Sequence, residues 1–329
     1  MFEATQVVFY YAISPVHMGA GSAIGAIDSP IQREVHTQHP MFAGSGLKGA
    51  LRHHFNRAWS RTEGDSSKQG SLISRIFGPD TSASDFAGAL SLSDAQLVAL
   101  PVRSLKGGFA YVTSPLALAR LLRLMQQAGL LYDWRVPVVA ENKALAASHA
   151  LLGQRPGVAA AAAALADQLV LEAFEFTTTV DSQLQSIAKW IADYAMPASD
   201  SAFFANKFKT DLVLLNDTDF AHFARHAMVV EPHVCIDDVS GTAKDRGLFY
   251  VENLPPETLM VGLAQASIER FKKGHKPETT LTADQVLTTV FAGQGDGVPG
   301  IGGKLLQIGG DATTGRGLVL VQTAKNTSV

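Results

Sequence analysis

Apolar residues run almost without a break over positions 5–13 (TQVVFYYAI) and stop at Ser14 and Pro15. A β-branched and aromatic run of that kind predicts a strand buried on both faces. Over 45–59 (SGLKGALRHHFNRAW) the spacing becomes helical, with Leu47, Leu51, Phe55 and Trp59 at every fourth position making one apolar stripe. Ser45 is the expected N-cap. Lys48, Arg52, His53 and Arg57 fall off the stripe, toward solvent or a ligand. The same reasoning predicts a strand at 89–98 and a helix at 115–129, opened by Pro115 and closed by Gly129. Helices are expected at 158–171, 183–195 and 218–227, a strand at 258–268, and a helix at 282–292 capped by Thr282. Residues 234–236 and 248–252 flank the polar tip SGTAKDRG and predict a hairpin. Strands at 305–308 and 318–322 bracket a glycine-dense stretch.

One connection stands out. Residues 14–44 join the first strand to the first helix and carry Gly19, Gly21, Gly25, Pro30, Pro40 and Gly44. Loops that long inside a compact chain are commonly functional. The order of elements predicts an α+β fold, and a ferredoxin-like βαββαβ plan with large insertions is the simplest fit. No fixed-period repeat is present, which excludes solenoids and propellers.

Composition narrows the class of function. With 47% hydrophobic and 17% charged residues the chain is not intrinsically disordered. A net charge of −3 excludes a globally basic nucleic-acid binder. A local basic surface is still expected, because residues 33–75 hold seven Lys and Arg against three acids. Cys235 is the single cysteine, so neither an internal disulfide nor a cysteine-based metal site can form. A reducing, cytoplasmic compartment fits. The purest apolar run, 158–166, is far short of the ~20 residues of a membrane span.

Candidate chemistry lies in three places. His17 and Asp28 sit in the long loop, with Arg33, His36 and His39 nearby, and suit acid–base work or a single-carboxylate metal contact. Against that, Asp28 before Ser29-Pro30 is also an ordinary turn initiator. Lys48 and Arg52 lie four apart near a helix N-terminus, where cations and free N–H groups can converge on an anion. The competing reading is a solvated face. GGDATTGRG (309–317) can form a nest of N–H groups beside Arg316, or merely a tight turn. It lacks the Lys-Ser/Thr of a P-loop. Asp237-Asp238 and Glu252 read as hairpin decoration and a strand-end charge.

Taken together the segments are more specific. SPVHMGAG (14–21) followed by IDSPIQRE (27–34) resembles the first loop of the RAMP superfamily of CRISPR proteins, and more narrowly that of the repeated backbone subunits of type III-B (Cmr) effector complexes. GSGLKGALR (44–52) is similar to the helix-one motif of that superfamily. PVRSLKGGFAYVTSPLALAR (101–120), LPPETL (254–259) and IGGDATTGRGLV (308–319) resemble later blocks in the same order. The segment 140–230 matches no such block and is expected to be a helical insertion. The tip SGTAKDRG resembles the type III-A counterpart about as well.

The resemblance implies a ferredoxin-like (RRM-like) palm with a β-hairpin thumb at 234–252, in one domain spanning 1–329. It implies copies stacked along a guide crRNA, associated with other Cmr subunits and cutting paired target RNA at regular intervals. Asp28 then matches a catalytic aspartate and the holder of a divalent metal, Mg²⁺ or Mn²⁺. His17 matches a loop histidine. Ser45, Lys48, Arg52 and Arg57, with Gly309, Gly310, Gly315 and Arg316, match RNA-binding positions. A thumb that splays out one nucleotide would align its 2′-OH with the adjacent phosphorus, a positioning effect worth up to ~7–11 kcal/mol in favourable cases.

Overall fold

The computed structural model describes residues 2–23, 25–59, 72–79, 85–152, 167–196, 202–272 and 279–324. Strand β1 (Ala4–Ala12) is the centre of the molecule. It pairs antiparallel with β12 (Leu259–Ala266) on one side and β14 (Leu318–Ala324) on the other. β12 in turn pairs with β4 (Ala95–Arg103). Helix α1 (Gly44–Trp59), followed by the short α2 (Leu72–Phe77), joins β1 to this strand, and α7 (Ala283–Phe291) joins β12 to β14, with β13 (Lys304–Gln307) paired on the outer edge of β14. The order β14-β1-β12-β4 is the 4-1-3-2 sheet of the ferredoxin-like plan, with both connecting helices in place.

Alternation along β1 explains its unbroken apolar run. Val8, Tyr10 and Ala12 enter a core with Leu47, Leu51, Phe55 and Trp59 of α1 and Val286 and Val290 of α7. Val7, Phe9 and Tyr11 enter a second core, against α3 (Pro115–Gln127) and α4 (Ser182–Ala195). The sheet is thus covered on both faces, as the sequence predicts. The starts of α3 at Pro115 and of α7 after its Thr282 cap are those predicted. The Ser114 side chain accepts from Ala117 N–H, and Thr282 and Gln285 form a reciprocal capping box.

Several expectations are corrected. Ser45 is not the N-cap, because α1 begins one residue earlier at Gly44, whose N–H donates to Asp94 Oδ1 at 2.8 Å. Glycine permits this start: a Cβ there would stand 2.4 Å from the Leu92 carbonyl oxygen. The strand expected at 89–98 is broken at Ser93-Asp94 into β3 (Leu90–Leu92) and β4. The helix expected at 158–171 lies partly outside the described residues, and its end is a strand, β7 (Asp167–Leu171). The 140–230 insertion is therefore not helical throughout.

Besides α4, that insertion carries α5 (Phe203–Asp211) and α6 (Asp217–His226). It also carries β6 (Lys143–Ala146), β7, β8 (Phe174–Val180) and β9 (Leu212–Leu215). These strands extend the palm sheet beyond β5 (Phe109–Thr113) in the order β5-β9-β6-β8-β7. They are short, and their pairing includes two parallel ladders between segments far apart in sequence.

The hairpin is β10 (Val229–Ile236) with β11 (Ala243–Asn253), a separate two-stranded sheet. It is longer than predicted, and its tip is confined to 237–242. Asp237 Oδ1 accepts the N–H groups of Val239 and Ser240 and the Ser240 hydroxyl, which hold its carboxyl below the usual range. Asp237 is a turn-forming residue, as the simpler reading had it.

Candidate active site and nucleic-acid interface

The long loop has little regular structure: among its residues only β2 (Met41–Phe42) is a strand. It is nonetheless fixed at many points. Val16 exchanges both backbone hydrogen bonds with Leu254 just past β11, at 2.9 Å each. The N–H groups of Asp28 and Ser29 donate to the Tyr250 carbonyl at 3.2 and 3.1 Å, and Glu252 N–H donates to Ser29 O at 3.0 Å. Residues 28–29 therefore act as a short extra strand along the root of the thumb. β11 can accept it because the N–H and C=O of Tyr250 and the N–H of Glu252 point away from β10, toward the loop.

Glu252 is the residue that organises this loop, and the sequence reading as a strand-end charge is overturned. The residue is 3% exposed. Oε2 accepts the Ile31 N–H at 3.0 Å and Oε1 accepts Arg33 Nη2 at 2.5 Å. Arg33 also donates to the carbonyls of Gln38 and Ala224, joining the loop to the C-terminal end of α6. A second buried pair, Arg120 Nη1 with Glu34 at 2.9 and 3.1 Å, ties the loop to α3. The only sequence signal for Glu252 was its place two residues before LPPETL, one of the blocks carrying the resemblance.

His17 lies between the thumb root and the glycine loop. Its Nδ1 is 2.7 Å from the Glu252 carbonyl oxygen. A carbonyl only accepts, so Nδ1 carries the proton and Nε2 is the acceptor in the neutral ring. Gly310 N–H donates to His17 O at 2.8 Å, and Gly317 N–H to Pro15 O at 2.8 Å. A Cβ on Gly309 would stand 2.3 Å from the His17 carbonyl oxygen, and one on Gly19 2.8 Å from His17 Nε2. Asp28 is exposed, and its Oδ2 accepts the Tyr250 N–H at 2.7 Å. The carboxylate thus has a structural partner that the sequence did not reveal. His17 and Asp28 are anchored to backbone groups two positions apart on one strand, about 7 Å along it.

The predicted RNA-binding residues divide. Ser45 is exposed on the first turn of α1, which abuts the loop: a Cβ on Gly46 would touch Met18 Sδ at 3.3 Å. Lys48 is half-buried and its ammonium donates to the Leu90 carbonyl at 2.8 Å; burial, then Arg52, pushes its pKa down. It is a strap onto β3 and not a free cation. Arg52 lies one turn on and is half-buried, while Arg57 is exposed. Arg57 lines a shallow groove with His53, His54 and Gln307. Burial first, and then the charges of Lys304 and His53, push His54 down.

Gln307 Nε2 donates to Arg316 O at 2.6 Å, so this groove runs into the glycine loop. Gly315 is left-handed, with φ 82°, and open around its Cα. Arg316 Nη2 donates to both carboxylate oxygens of Glu231 of the thumb, at 2.6 and 2.8 Å, and so clamps the thumb root to the glycine loop. Thr314, Gly315 and Arg316 donate their N–H groups to carbonyls within the loop. With Gly310 and Gly317 bonded to the 14–21 segment, the tight-turn reading holds at these positions in place of an open N–H nest.

Among the described residues no group of three or more His, Cys, Asp and Glu is arranged to hold a metal ion. His39 is buried edge-on against Phe220 at 5.2 Å, and burial lowers its pKa. Asp28 alone, with one oxygen engaged, fits a divalent ion only where phosphate oxygens and water complete the shell. No helix among the described residues is long and apolar enough to cross a membrane.

Residues 9–320 match the profile of the RAMP superfamily. The CRISPR system Cmr endoribonuclease Cmr4 of Pyrococcus furiosus is 31% identical over 320 residues, covering 96% of this chain and 94% of the relative. The crystal structure of oligomeric Cmr4 from the same organism superposes with a TM-score of 0.65 at 26% identity, over 98% of this chain and 99% of that one. A chain in the cryo-EM structure of the type III-B Cmr-beta complex bound to cognate target RNA has the same fold, with a TM-score of 0.68 at 16% identity over 98% of both chains.

Proposed function

Since the chain belongs to the RAMP superfamily, we propose that it is the backbone subunit of a type III-B CRISPR ribonucleoprotein, an endoribonuclease that cuts guide-paired target RNA. The observation that carries this is the 31% identity to a Cmr endoribonuclease along nearly the whole of both chains. Copies of the chain line a guide crRNA as a filament, together with other Cmr subunits. The guide runs past α1, Arg57 and the glycine loop. Sequence is read by base pairing, so the protein needs only a local basic surface, consistent with a net charge of −3.

The cut is attack of a target 2′-OH on its own phosphorus, leaving a 2′,3′-cyclic phosphate and a 5′-OH. His17 offers Nε2 as proton acceptor because Glu252 O holds Nδ1–H. Asp28, fixed on Tyr250 N–H, orients the 2′-OH. A Mg²⁺ or Mn²⁺ ion held by Asp28 and the RNA would neutralise charge on the phosphoryl oxygens.

One observation favours a non-cutting scaffold instead: Asp28 already has the structural partner Tyr250. The discriminating experiment incubates the reconstituted complex with guide-matched, end-labelled RNA, with and without Mg²⁺ or Mn²⁺. Regularly spaced, cyclic-phosphate-ended products are expected. Intact RNA under all conditions would leave only the scaffold.

A further inference from the structure

A second groove, of about 490 Å³, lies on the other side of the catalytic loop, between the 36–39 turn and α6. Building on the proposed function, we infer that this groove carries the target RNA strand next to the cut, as a sequence-independent phosphate track.

Its lining argues for this. Arg225, His222 and His226 face it from α6, and His36 and Thr37 from the loop, with Thr218 near the start of the helix. These are donors of the kind that meet phosphate and sugar oxygens. The one acid is Asp217, at the far end, and the only aliphatic side chain is Ala221. A protein partner would need an apolar core that this surface lacks. The side chains are also held in place. Arg120 Nη2 binds His36 Nε2 at 3.0 Å, and since arginine only donates, the His36 ring keeps its own proton on Nδ1 as a donor. His222 and His226 lie one turn apart with ring centroids 4.8 Å apart.

Position argues for it as well. The ten residues of α6 give a track of about 15 Å. That is about four stacked nucleotides at roughly 3.4 Å each. Its C-terminal end is one arginine away from the site: Arg33 donates to Ala224 O, and the same guanidinium pairs with Glu252, whose backbone oxygen holds His17. The glycine loop and α1 approach His17 from elsewhere, so guide and target are given separate surfaces around one loop.

The test uses the guide-loaded complex and measures target binding separately from cutting. Arg225→Gln should weaken target binding several-fold and flatten the slope of log K against log salt by ~0.7, the value of one single-strand phosphate contact. His222→Glu with His226→Glu should weaken it about tenfold. All three side chains are exposed, so the fold tolerates the changes. Guide loading should not change. Unaltered target affinity and salt slope in both variants would overturn the inference. Loss of guide loading or of assembly would also overturn it, assigning the groove to the guide or to a neighbouring subunit. Wild-type complex that binds target with the predicted dependence on these residues yet leaves it uncut would sink the proposed function and keep the track.

Discussion

The loop that carries His17 and Asp28 and the thumb beside it are built on opposite principles. The thumb is regular β-structure, yet its outer half is self-contained. Val234, Ile236, Val239 and Leu248 are 45–97% exposed, and the tip is held by Asp237 and its own neighbours. The loop has almost no regular structure, yet it is pinned by two buried ion pairs and by backbone bonds to β11 and the glycine loop. Order in this molecule therefore does not follow secondary structure. Buried polar partners make the loop rigid, where buried charge is costly unless paired. Among the described residues nothing beyond its root holds the thumb.

The sharpest way to break that contrast is Glu252→Ala. It leaves Arg33 without its counter-charge and the Ile31 N–H without its acceptor, and a loss of about 3–5 kcal/mol is expected in denaturant unfolding, with loss of cutting. A loss under about 1 kcal/mol would mean that the loop is held elsewhere.

Asp28→Asn is next. The side chain is exposed and its amide oxygen can still accept from Tyr250, so stability and guide loading should hold while cutting falls at least about a hundredfold. Near-normal ladders from the reconstituted mutant would remove Asp28 from the chemistry.

Two glycines then separate contact from conformation. Gly309 and Gly315 are both left-handed, at φ 70° and 82°. Gly309→Ala adds a clash with His17 O and should cost more than Gly315→Ala, which meets nothing within 4 Å and should cost about 1–2 kcal/mol. Equal melting temperatures would show that the glycine loop does not press on His17.

Replacing the thumb tip 237–242 by Asn-Gly should leave stability within about 0.5 kcal/mol and guide loading unchanged, because exposed tips tolerate change. Cutting should nevertheless fall, on the proposal that the tip displaces a target nucleotide. Normal cutting at the same intervals would place that role in another segment.

The smallest effect tests the junction of the two regions. Glu257 lies where the chain leaves the thumb for β12, and its N–H donates to Ala12 O at 2.7 Å. Burial pushes its carboxyl up from 4.5 to about 7. The folded state therefore binds the extra proton, and its stability falls as pH rises from about 4.5 to about 7. Glu257→Gln should melt with wild type below that window and above it at neutral pH. Parallel melting curves across the window would contradict the raised carboxyl.

Much of this was legible in local pattern. β1, α3 with Pro115 at its start and α7 with its Thr282 cap announce themselves within a few residues, because periodicity and capping act over one or two turns. β6 to β9 do not. LVLL at 212–215 becomes a strand only because β5 and β6 supply its two edges. Asp28 and His17 stood out as loop residues, but their partners Tyr250 and Glu252 are more than 200 positions away.

The sequence by itself determined the α+β class, the ferredoxin-like order of the palm, the presence of a hairpin, and which loop to suspect. These follow from hydrophobic spacing and from short segments whose chemistry is local. The tertiary structure alone decided which charges are free to act. Lys48 looked like a phosphate contact and is a strap onto Leu90. Arg316 looked like an anion site and is a clamp on Glu231. Glu252 looked incidental and holds the loop together. A charged side chain reaches whichever partner the fold brings near, and burial multiplies the worth of that partner by lowering the local dielectric. Distance along the chain carries no record of either.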